Sequence, residues 1–297
     1  MIIVTGSKGY LGRYLCSNLD SKGFNYISYS HKELDLSDKY SVKKTIPEKS
    51  TIIHLAANLP KNDNDFKKDK FNQINLLMVE NLLNTNPSKI IFSSSMTVYP
   101  NGGINLKEDE IGFQKELNGY PLYKREAEKM IQSSGIKNTI FRFPGLFGGN
   151  RKSGIIYNCI YSFLTQKPFK LPDSPINWAA LNVKDAADLI SKAITYDSIG
   201  ITNACTDNIF STSILIGEVA TILDTKIKFI IPKAPEFSMN LDKLRKTIGL
   251  PNKSFRQRCF WFISGTGRDW IFVSVTLHLS SASVFLLNVL LKERHPA

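Results

Sequence analysis

The opening stretch MIIVTGSKGYLG constrains the fold of this chain more than any other part of the sequence. An apolar, β-branched run (2–5) leads directly into a loop with glycines at positions 6, 9 and 12, and a segment of helical period follows. This order predicts a dinucleotide-binding unit: Gly6 permits a tight turn, Gly9 lets backbone N–H groups approach a pyrophosphate, and Gly12 allows the helix to pack closely on the strand. The other predicted cofactor contacts of this loop are Ser7, Tyr10 and Leu11.

Short β-branched runs alternate with longer segments of helical period along the first half of the chain. The predicted strands are 2–5, 25–30, 51–57, 89–95 and 138–144, and the predicted helices are 11–21, 66–85 and 120–133. Such alternation predicts an α/β fold, a Rossmann-like, doubly wound parallel sheet with helices on both faces. We assign residues 1–145 to this dinucleotide-binding domain and 146–251, where the pattern loosens, to a smaller substrate-binding lobe interleaved with it.

The formal charge of +12 at pH 7 raises the question of nucleic acid binding. The chain has no long block of Lys and Arg and no glycine-aromatic signature of an RNA-binding module, so nucleic acid is not a predicted partner. A basic excess also suits an anionic small substrate such as a sugar nucleotide.

The four cysteines are scattered, without a C-x-x-C pair and without histidines at ligand spacing. This pattern predicts reduced thiols, with neither a disulfide framework nor a metal site. Because the apolar run begins directly after Met1, it leaves no room for a charged leader. We therefore expect a cytoplasmic protein.

The residues after the second predicted strand bear on the choice of nicotinamide cofactor. An acid here usually selects NAD, but Ser30, His31 and Lys32 precede the first acids, Glu33 and Asp35. An acid would repel a ribose 2′-phosphate, whereas a hydroxyl, an imidazole and an ammonium would attract it. We expect NADP(H) in preference to NAD(H); the alternative is that Lys32 is only a solvated surface charge.

A tyrosine and a lysine stand one helical turn apart in the segment NGYPLYKREAEK (118–129). Hydride transfer at an alcohol or ketone needs a group that moves the hydroxyl proton, and a tyrosine with a pKa of about 10 is too weak a base at neutral pH. Lys124 shares a helix face with Tyr120, and an ammonium about 4 Å from a phenolate contributes about 4 kcal/mol, comparable to the roughly three pKa units required. Tyr123 has no Lys or Arg four residues on, so we expect it to pack or to lie at the surface.

Six motifs, in order, resemble the extended short-chain dehydrogenase/reductase family, which acts on sugar nucleotides. The resemblance runs from Met1 to about Pro251 and includes the glycine loop and the Tyr120–Lys124 pair. It also implies cofactor contacts in four further segments: ELDLSD, HLAA, the predicted helix 66–85 and FRFPGLFGGN. These contacts are Asp35, Leu36, Leu55, Ala56, Ala57, Asn75 and Phe143.

The resemblance implies roles in catalysis as well. Ser95 would hydrogen-bond the sugar hydroxyl or keto oxygen, Tyr120 would be the acid/base, and Lys124 would bind the nicotinamide ribose and lower the pKa of the tyrosine. The family commonly forms homodimers through the helices predicted at 66–85 and 120–133. Candidate substrate contacts, with ordinary surface-loop residues as the alternative for the last four, are Ser95, Thr97, Asn150, Arg151, Lys152, Trp178 and Asn182.

Departures from the family pattern narrow the reaction. Met96 and Thr97 stand where the family's dehydratases carry an Asp-Glu pair, and a threonine is a poor acid or base where some epimerases use Cys or His. Hydride transfer at C4 remains, and we favour reduction of a 4-keto sugar nucleotide over C4 epimerisation. The third alternative, an idle cofactor-binding scaffold, is opposed by the joint presence of Ser95, Tyr120 and Lys124.

Residues 252–297 form a hydrophobic tail whose composition differs from that of the preceding chain. Residues 270–291 carry no Asp, Glu, Lys or Arg, and the family pattern ends near Phe255. About 20 mostly apolar residues can cross a membrane, but this stretch is rich in serine and in strand-forming residues. A membrane anchor, a divergent buried hairpin and out-of-frame translation are the three explanations. We favour the last because composition and family pattern change at the same place.

Overall fold

The computed structural model describes residues 1–59, 69–99, 103–110, 119–167, 179–224 and 236–266. The strands are β1 (Ile2–Thr5), β2 (Tyr26–Tyr29), β3 (Thr51–His54), β4 (Lys89–Ser95), β5 (Gly103–Leu106), β6 (Lys137–Phe143), β7 (Gly145–Phe147), β8 (Ala180–Asn182), β9 (Gly200–Asn203) and β10 (Phe237–Met239). The helices are α1 (Tyr10–Ser21), α2 (Lys39–Thr45), α3 (Asp69–Leu83), α4 (Gly119–Ser133), α5 (Ile155–Thr165), α6 (Val183–Ala193), α7 (Thr212–Ile222), α8 (Asp242–Lys246) and α9 (Phe255–Thr266).

The central sheet has six parallel strands in the order β2-β1-β3-β4-β6-β9. The chain runs outward from β1 to β2 and then crosses back to β3, so the strand order reverses between β1 and β3. In open α/β sheets the ligand crevice lies outside the carboxyl ends of the strands at such a switch point. The predicted doubly wound α/β fold is confirmed, and its crevice lies where the glycine loop leaves β1.

Consecutive residues of the central strands are buried on opposite faces of the sheet. Ile3 and Ile52 belong to the core beneath α2, α3 and α4, while Val4 and Ile53 belong to the core beneath α1 and α6; all four are fully buried. A parallel sheet covered on both faces needs such continuous apolar runs. These runs are why the strand positions could be predicted from sequence.

Element boundaries shift by a few residues from those predicted. β3 ends at His54 and not at 57, because Leu55 N–H donates the last bond across to the Thr5 carbonyl (3.2 Å) and the chain then leaves the sheet as a loop. The predicted helix 66–85 is α3, which ends at Leu83 and whose predicted start, 66–68, lies outside the described residues.

Two small parallel pairs lie outside the main sheet, β7 with β8 and β5 with β10, and the chain returns to the main sheet through α6 and β9. The β5–β10 pair joins β5, which precedes α4 in the chain, to a strand more than a hundred residues later. Helix α6 packs on α1, and α5, α7 and α9 pack together beside it.

The first part of the predicted tail is a regular element of this lobe. Helix α9 begins with a reciprocal capping box, in which Gln257 N–H donates to Ser254 Oγ (3.2 Å) and Ser254 N–H donates to Gln257 Oε1 (2.9 Å). Phe255 and Phe262 are buried, and both rings contact Phe147. Residues 267–297, including the apolar stretch 270–291, lie outside the described residues.

Candidate active site

The glycine loop forms a close-packed cradle at the switch point. Gly6 has φ +74°, and a Cβ there would lie 2.7 Å from Ala56 N, while a Cβ on Gly12 would lie 2.2 Å from the Gly6 carbonyl oxygen. Gly9 is the N-cap of α1 and contributes no side-chain cap, so the first-turn N–H groups of the helix remain for an anion. The loop therefore fits a dinucleotide pyrophosphate.

The loop after β3 lines the same crevice and is fixed by Asn75. The Asn75 side chain accepts from Asn58 N–H (2.6 Å) and donates to the Asn58 carbonyl (3.0 Å), and it is 2% exposed. Both polar ends of this amide thus hold the loop that follows the predicted cofactor contacts. Those contacts, Leu55, Ala56 and Ala57, are each partly exposed.

Sequence analysis missed the partner of Ser30 at the adenosine end of the crevice. Ser30 N–H and Oγ–H donate to one carboxylate oxygen of Glu33, at 2.7 and 2.6 Å, and these bonds lower the pKa of Glu33. Lys8 Nζ lies 3.7 Å from the other oxygen, and His31 and Lys32 are exposed beside them. The Ser30 hydroxyl, predicted to attract a 2′-phosphate, therefore donates to the Glu33 carboxylate instead. Lys8 is a further cation at this place that was not predicted.

Asp35 and Leu36 follow in a tight turn. The Asp35 carboxylate accepts from Ser37 Oγ (2.7 Å) and Ser37 N–H (2.9 Å), and these hydrogen bonds lower its pKa. Leu36 is buried, and its carbonyl accepts from Asn81 on α3 (2.9 Å). The turn is thereby anchored to α3 and leaves the Asp35 carboxylate exposed.

Ser95 is the last residue of β4 and the N-cap of a short 3-10 turn. Thr97 Oγ1 and Thr97 N–H both donate to Ser95 Oγ, at 3.0 and 3.2 Å. A serine hydroxyl that accepts two bonds has its own proton left to donate. The pair therefore presents an oriented hydroxyl donor at the carboxyl edge of the sheet.

Lys124 is buried one turn after Tyr120 on α4. Its Nζ donates to the Ser93 carbonyl (2.6 Å) and lies 4.5 Å from the centroid of the Phe92 ring and 5.4 Å from that of the Tyr120 ring. Burial lowers the pKa of Lys124 to about 7, although the Glu128 carboxylate acts to raise it.

The expected lowering of the Tyr120 pKa is absent from this structure. Burial raises the pKa of Tyr120 to about 12, because a phenolate is costly to desolvate and the neighbouring ammonium is itself desolvated. Tyr123 is fully buried, its ring 6.0 Å from that of Tyr120, which fits the packing role expected of it.

The loop between β7 and α5 carries three predicted substrate contacts and is attached to α1. Tyr14 Oη accepts from Asn150 N–H (2.9 Å), and Tyr10 Oη–H donates to the Gly148 carbonyl (2.8 Å). The Arg151 guanidinium lies 5.2 Å from the centroid of the Tyr10 ring, and Lys152 is exposed next to it. Arg151 is thus placed beside the N-terminus of α1, at the mouth of the predicted pyrophosphate site.

The other predicted contacts differ in placement. Asn182 is buried and caps α6, its Oδ1 accepting from Lys184 N–H (3.0 Å), so its side-chain oxygen serves the helix. Phe143 is buried at the end of β6, paired in register with Ser95. Trp178 lies outside the described residues.

Two side chains near this site were missed in the sequence, Glu128 and Arg142. They form a fully buried ion pair, with Arg142 Nη2 donating to Glu128 Oε2 at 2.8 Å. A charged residue inside the apolar strand run TIFRF was the available signal, because a buried guanidinium requires a buried acid.

Within the described ranges, no group of three His, Cys, Asp or Glu side chains could hold a metal ion. All four cysteines are free thiols. Over the same part of the chain, no helix combines the length and the apolarity that crossing a membrane requires.

The sequence pattern of the NAD dependent epimerase/dehydratase family matches residues 2–204, which span the glycine loop, Ser95, Tyr120 and Lys124. The chain belongs to this family. Membership confirms the predicted resemblance and makes the chain an enzyme that uses a nicotinamide dinucleotide. No curated protein sequence matches the chain.

Several solved structures share the fold of this chain at low sequence identity. The UDP-glucose 4-epimerase of Thermotoga maritima, solved with UDP-glucose, is 17% identical with a TM-score of 0.72, covering 89% of this chain and 97% of its own. MlghC, the GDP-mannoheptose C4 reductase of Campylobacter jejuni with NADP bound, is 18% identical with a TM-score of 0.70, covering 89% and 96%. RMD from Pseudomonas aeruginosa, complexed with NADPH, is 20% identical with a TM-score of 0.72, covering 89% and 97%.

Proposed function

We propose that this family member reduces a 4-keto sugar nucleotide at C4 with NADPH, in the cytoplasm. The observation that carries the proposal is the arrangement at the carboxyl edge of the sheet, where Ser95 presents an oriented hydroxyl donor and Tyr120 lies one helical turn before the buried Lys124. Reduction of a ketone needs donors at the carbonyl oxygen, and a tyrosine hydroxyl is protonated at neutral pH even at its ordinary pKa of about 10. Burial acts in the same direction, because it raises the pKa of Tyr120. The choice of reduction over epimerisation is supported by the basic residues at the adenosine ribose, which favour NADPH as the hydride donor.

The side chains divide the work around one oxygen atom. Ser95, whose hydroxyl is oriented by Thr97, donates a hydrogen bond to the C4 keto oxygen, and Tyr120 delivers its proton to that oxygen as negative charge develops there. NADPH, when bound, supplies the hydride. Lys124 binds the nicotinamide ribose and presents a positive charge beside Tyr120, which stabilises the phenolate left when the tyrosine gives up its proton; solvent returns that proton before the next turnover.

The dinucleotide would lie along the crevice from the glycine loop to Tyr120. The N–H groups of α1 would take the pyrophosphate, and Asp35 and Leu36 would border the adenine. Leu55, Ala56, Ala57 and Phe143 would line the nicotinamide half, with Asn75 holding the loop after β3.

Preference for NADP(H) is supported by charge at the adenosine ribose. Lys8, His31 and Lys32 are the cations of this region, and its two acids already have partners: Glu33 binds Ser30 and Lys8, and Asp35 binds Ser37. An anionic 2′-phosphate gains from the ammonium groups. The names of two structural relatives, a C4 reductase with NADP bound and a protein complexed with NADPH, agree with this choice.

The nucleotide diphosphate of the substrate would meet the loop that carries Asn150, Arg151 and Lys152. Trp178 and Asn182 remain proposed neighbours of the sugar or base, with Asn182 acting through its cap of α6. Homodimerisation through α3 and α4 completes the proposal.

The test mixes full-length protein with NADPH or NADH and a panel of 4-keto and 4-hydroxy sugar nucleotides. Absorbance of the reduced cofactor reports net reduction, and NMR identifies the sugar. Consumption of NADPH with a 4-keto substrate supports the reductase. Inversion at C4 without net change in the cofactor would make the protein an epimerase, and cofactor binding without turnover of any substrate would make it a scaffold.

A further inference from the structure

Glu128 is an acid that the proposed reaction does not use, yet it lies one helical turn beyond Lys124 and is 1% exposed. Its carboxylate is shared by two strands. Ser94 Oγ–H of β4 donates to Oε1, and Arg142 of β6 donates through Nε to Oε1 (3.1 Å) and through Nη2 to Oε2 (2.8 Å). Burying a carboxylate costs several kcal/mol unless such partners compensate it, so the position is built around this acid.

Three consecutive residues of β4 meet the active-site helix. The Ser93 carbonyl accepts from Lys124, Ser94 binds Glu128, and Ser95 presents the hydroxyl proposed to contact substrate. The hydrogen bonds of Ser93 and Ser94 to α4 therefore fix the position of Ser95 along the axis of that helix. An apolar contact at this place could slide, because it has no preferred register.

Arg142 carries the same network to the far side of the Ser95 turn. Its Nη1 donates to Tyr99 Oη (3.0 Å), and Tyr99 Oη–H donates to Asn203 Oδ1 on β9 (2.7 Å). Tyr99 directly follows the 3-10 turn that contains Thr97. Both ends of the turn that orients Ser95 are thus held by one buried ion pair.

We propose that Glu128 is a positioning residue that locks β4 to α4 so that Ser95 and Tyr120 address the same substrate oxygen, and whose negative charge maintains Lys124 as an ammonium. The inference rests on the proposed function, because it takes Ser95, Tyr120 and Lys124 as the reacting set. It adds a requirement for a residue that touches neither substrate nor cofactor.

Two opposing effects set the pKa of Lys124. Glu128 acts to raise its pKa, whereas burial dominates and lowers it to about 7. From β3 the neighbouring titratable group is His54, which burial keeps neutral with a pKa of about 3. The tyrosines of α4, Tyr120 and Tyr123, are neutral at pH 7, and Arg142 is paired with Glu128 itself. Among the described residues around Lys124, Glu128 is thus the acid that supports the ammonium.

The test replaces the charge and the bond separately. Glu128→Gln keeps the shape and an oxygen for Arg142 but removes the charge, and Ser94→Ala removes the strand contact but no charge. Glu126→Gln is the matched control, since Glu126 lies on the same helix, partly exposed and paired with Lys129 (2.8 Å). All variants are assayed as full-length protein for NADPH oxidation against pH, and Lys124 is titrated by NMR of ¹³C-labelled lysine, its signal assigned with Lys124→Met.

In Glu128→Gln we expect Lys124 to titrate at least about one pH unit lower, a tenfold change in its protonation equilibrium. The alkaline limb of the pH–rate profile for NADPH oxidation, where the rate falls, should shift to lower pH by the same amount. Ser94→Ala should lower kcat about tenfold or more without moving that limb, and Glu126→Gln should match the unsubstituted protein in both respects. Should Glu128→Gln not fold, Glu128→Asp keeps the charge at a shorter reach and should lower kcat while leaving the Lys124 titration in place.

Two results would overturn the inference. An unmoved Lys124 titration in Glu128→Gln would remove the electrostatic role, and an unchanged kcat in Ser94→Ala would remove the positioning role. The NMR titration needs no turnover, so a protein inactive on every 4-keto substrate would sink the proposed function while the charge effect of Glu128 on Lys124 could still be read.

Discussion

At the scale of single residues, glycine is required at position 12 for a reason that helix propensity does not supply. Glycine inside a helix ordinarily costs about 0.5–1 kcal/mol relative to alanine. At Gly12 a Cβ would lie 2.2 Å from the Gly6 carbonyl, and neither backbone can retreat without opening the cradle. Gly217, in the middle of α7, has nothing within 4 Å of its Cβ position.

We therefore expect Gly12→Ala to abolish NADPH binding or to weaken it at least about a hundredfold, equivalent to about 2.7 kcal/mol. Gly217→Ala, the matched control, should bind NADPH normally and unfold at an equal or higher temperature. Cofactor fluorescence and thermal unfolding measure the two quantities. Normal NADPH binding by Gly12→Ala would mean that the pyrophosphate does not lie on this loop.

The two tyrosines of α4 allow a paired comparison. Tyr120→Phe should lower kcat for 4-keto reduction by about 10²–10⁴, the usual contribution of a positioned general acid, while NADPH still binds. Tyr123→Phe should leave kcat unchanged, because the buried Tyr123 hydroxyl has no hydrogen-bond partner among the described residues. Steady-state assays of both variants decide this, and equal losses in the two would remove Tyr120 from its proposed role.

His54 should make the protein sensitive to acid. Its Nδ1 pairs with Thr5 Oγ1 (2.8 Å), and its ring is fully buried against Phe92, which lowers its pKa to about 3. In the unfolded chain the imidazole has a pKa of about 6.5, so between about pH 6.5 and pH 3 His54 is protonated in the unfolded chain but not in the folded one. The stability that His54 contributes is therefore complete above about pH 6.5 and is lost as pH falls toward 3, by up to about 1.4 kcal/mol per pH unit.

Denaturant unfolding at pH 7 and at pH 5 measures this effect as a difference. His54→Phe keeps the stacked ring without a titrating group, so its stability should fall less between the two pH values than that of the unsubstituted protein. Parallel losses in the two proteins would show that His54 is not the acid-sensitive group.

At the scale of elements, α9 shows how a helix joins the lobe through one buried ion pair. Arg258 donates through Nε to Asp185 Oδ2 (2.7 Å) at the start of α6, and the Asp185 side chain is 6% exposed. Arg256, on the same helix, lies 3.4 Å from Glu218 with its side chain 57% exposed. Removal of one partner from a buried pair leaves an uncompensated charge, whereas an exposed pair contributes little.

Arg258→Ala should accordingly lower the free energy of unfolding by about 3–5 kcal/mol. Arg256→Ala should change it by less than about 1 kcal/mol. Urea titrations compare the two variants at one pH and salt concentration. Equal small effects would mean that α9 does not depend on this pair for its position.

At the scale of the whole molecule, the proposed dimer can be tested on the exposed surface of α3. Leu77 is 39% exposed on this helix, and Ile209, in the loop after β9, is 46% exposed. Leu77→Glu should shift the protein from dimer to monomer in light scattering after size exclusion, because a carboxylate cannot be desolvated in an apolar interface. Ile209→Glu should leave the mass unchanged, and a monomeric unsubstituted protein would refute the dimer.

The whole molecule also explains why the end of the regular fold was placed too early from sequence. The change of composition near residue 252 was visible, but the docking of Phe255, Cys259 and Phe262 depends on a pocket made by α5, α7 and β8. Such a pocket is assembled from segments far apart in the chain. Out-of-frame translation remains our hypothesis for the chain beyond the described part of α9, and sequencing the gene across codons 245 to 265 and a short distance beyond tests it.

The sequence by itself determined the features that depend on neighbours in the chain. The glycine loop, the alternation of strands and helices, and the spacing of Tyr120 and Lys124 all follow from backbone sterics and from the periods of strand and helix. These are local properties, and a single sequence records them directly.

Only the tertiary structure decided which distant groups meet and how deeply they are buried. Glu128 with Arg142, Ser30 with Glu33, and Arg151 against Tyr10 could not be paired by spacing. The direction of the Tyr120 pKa was decided in the same way, because desolvation depends on every element packed around the phenol and not on its helix alone. Contacts and burial arise from the closure of the whole chain, and they settled the electrostatics of this site.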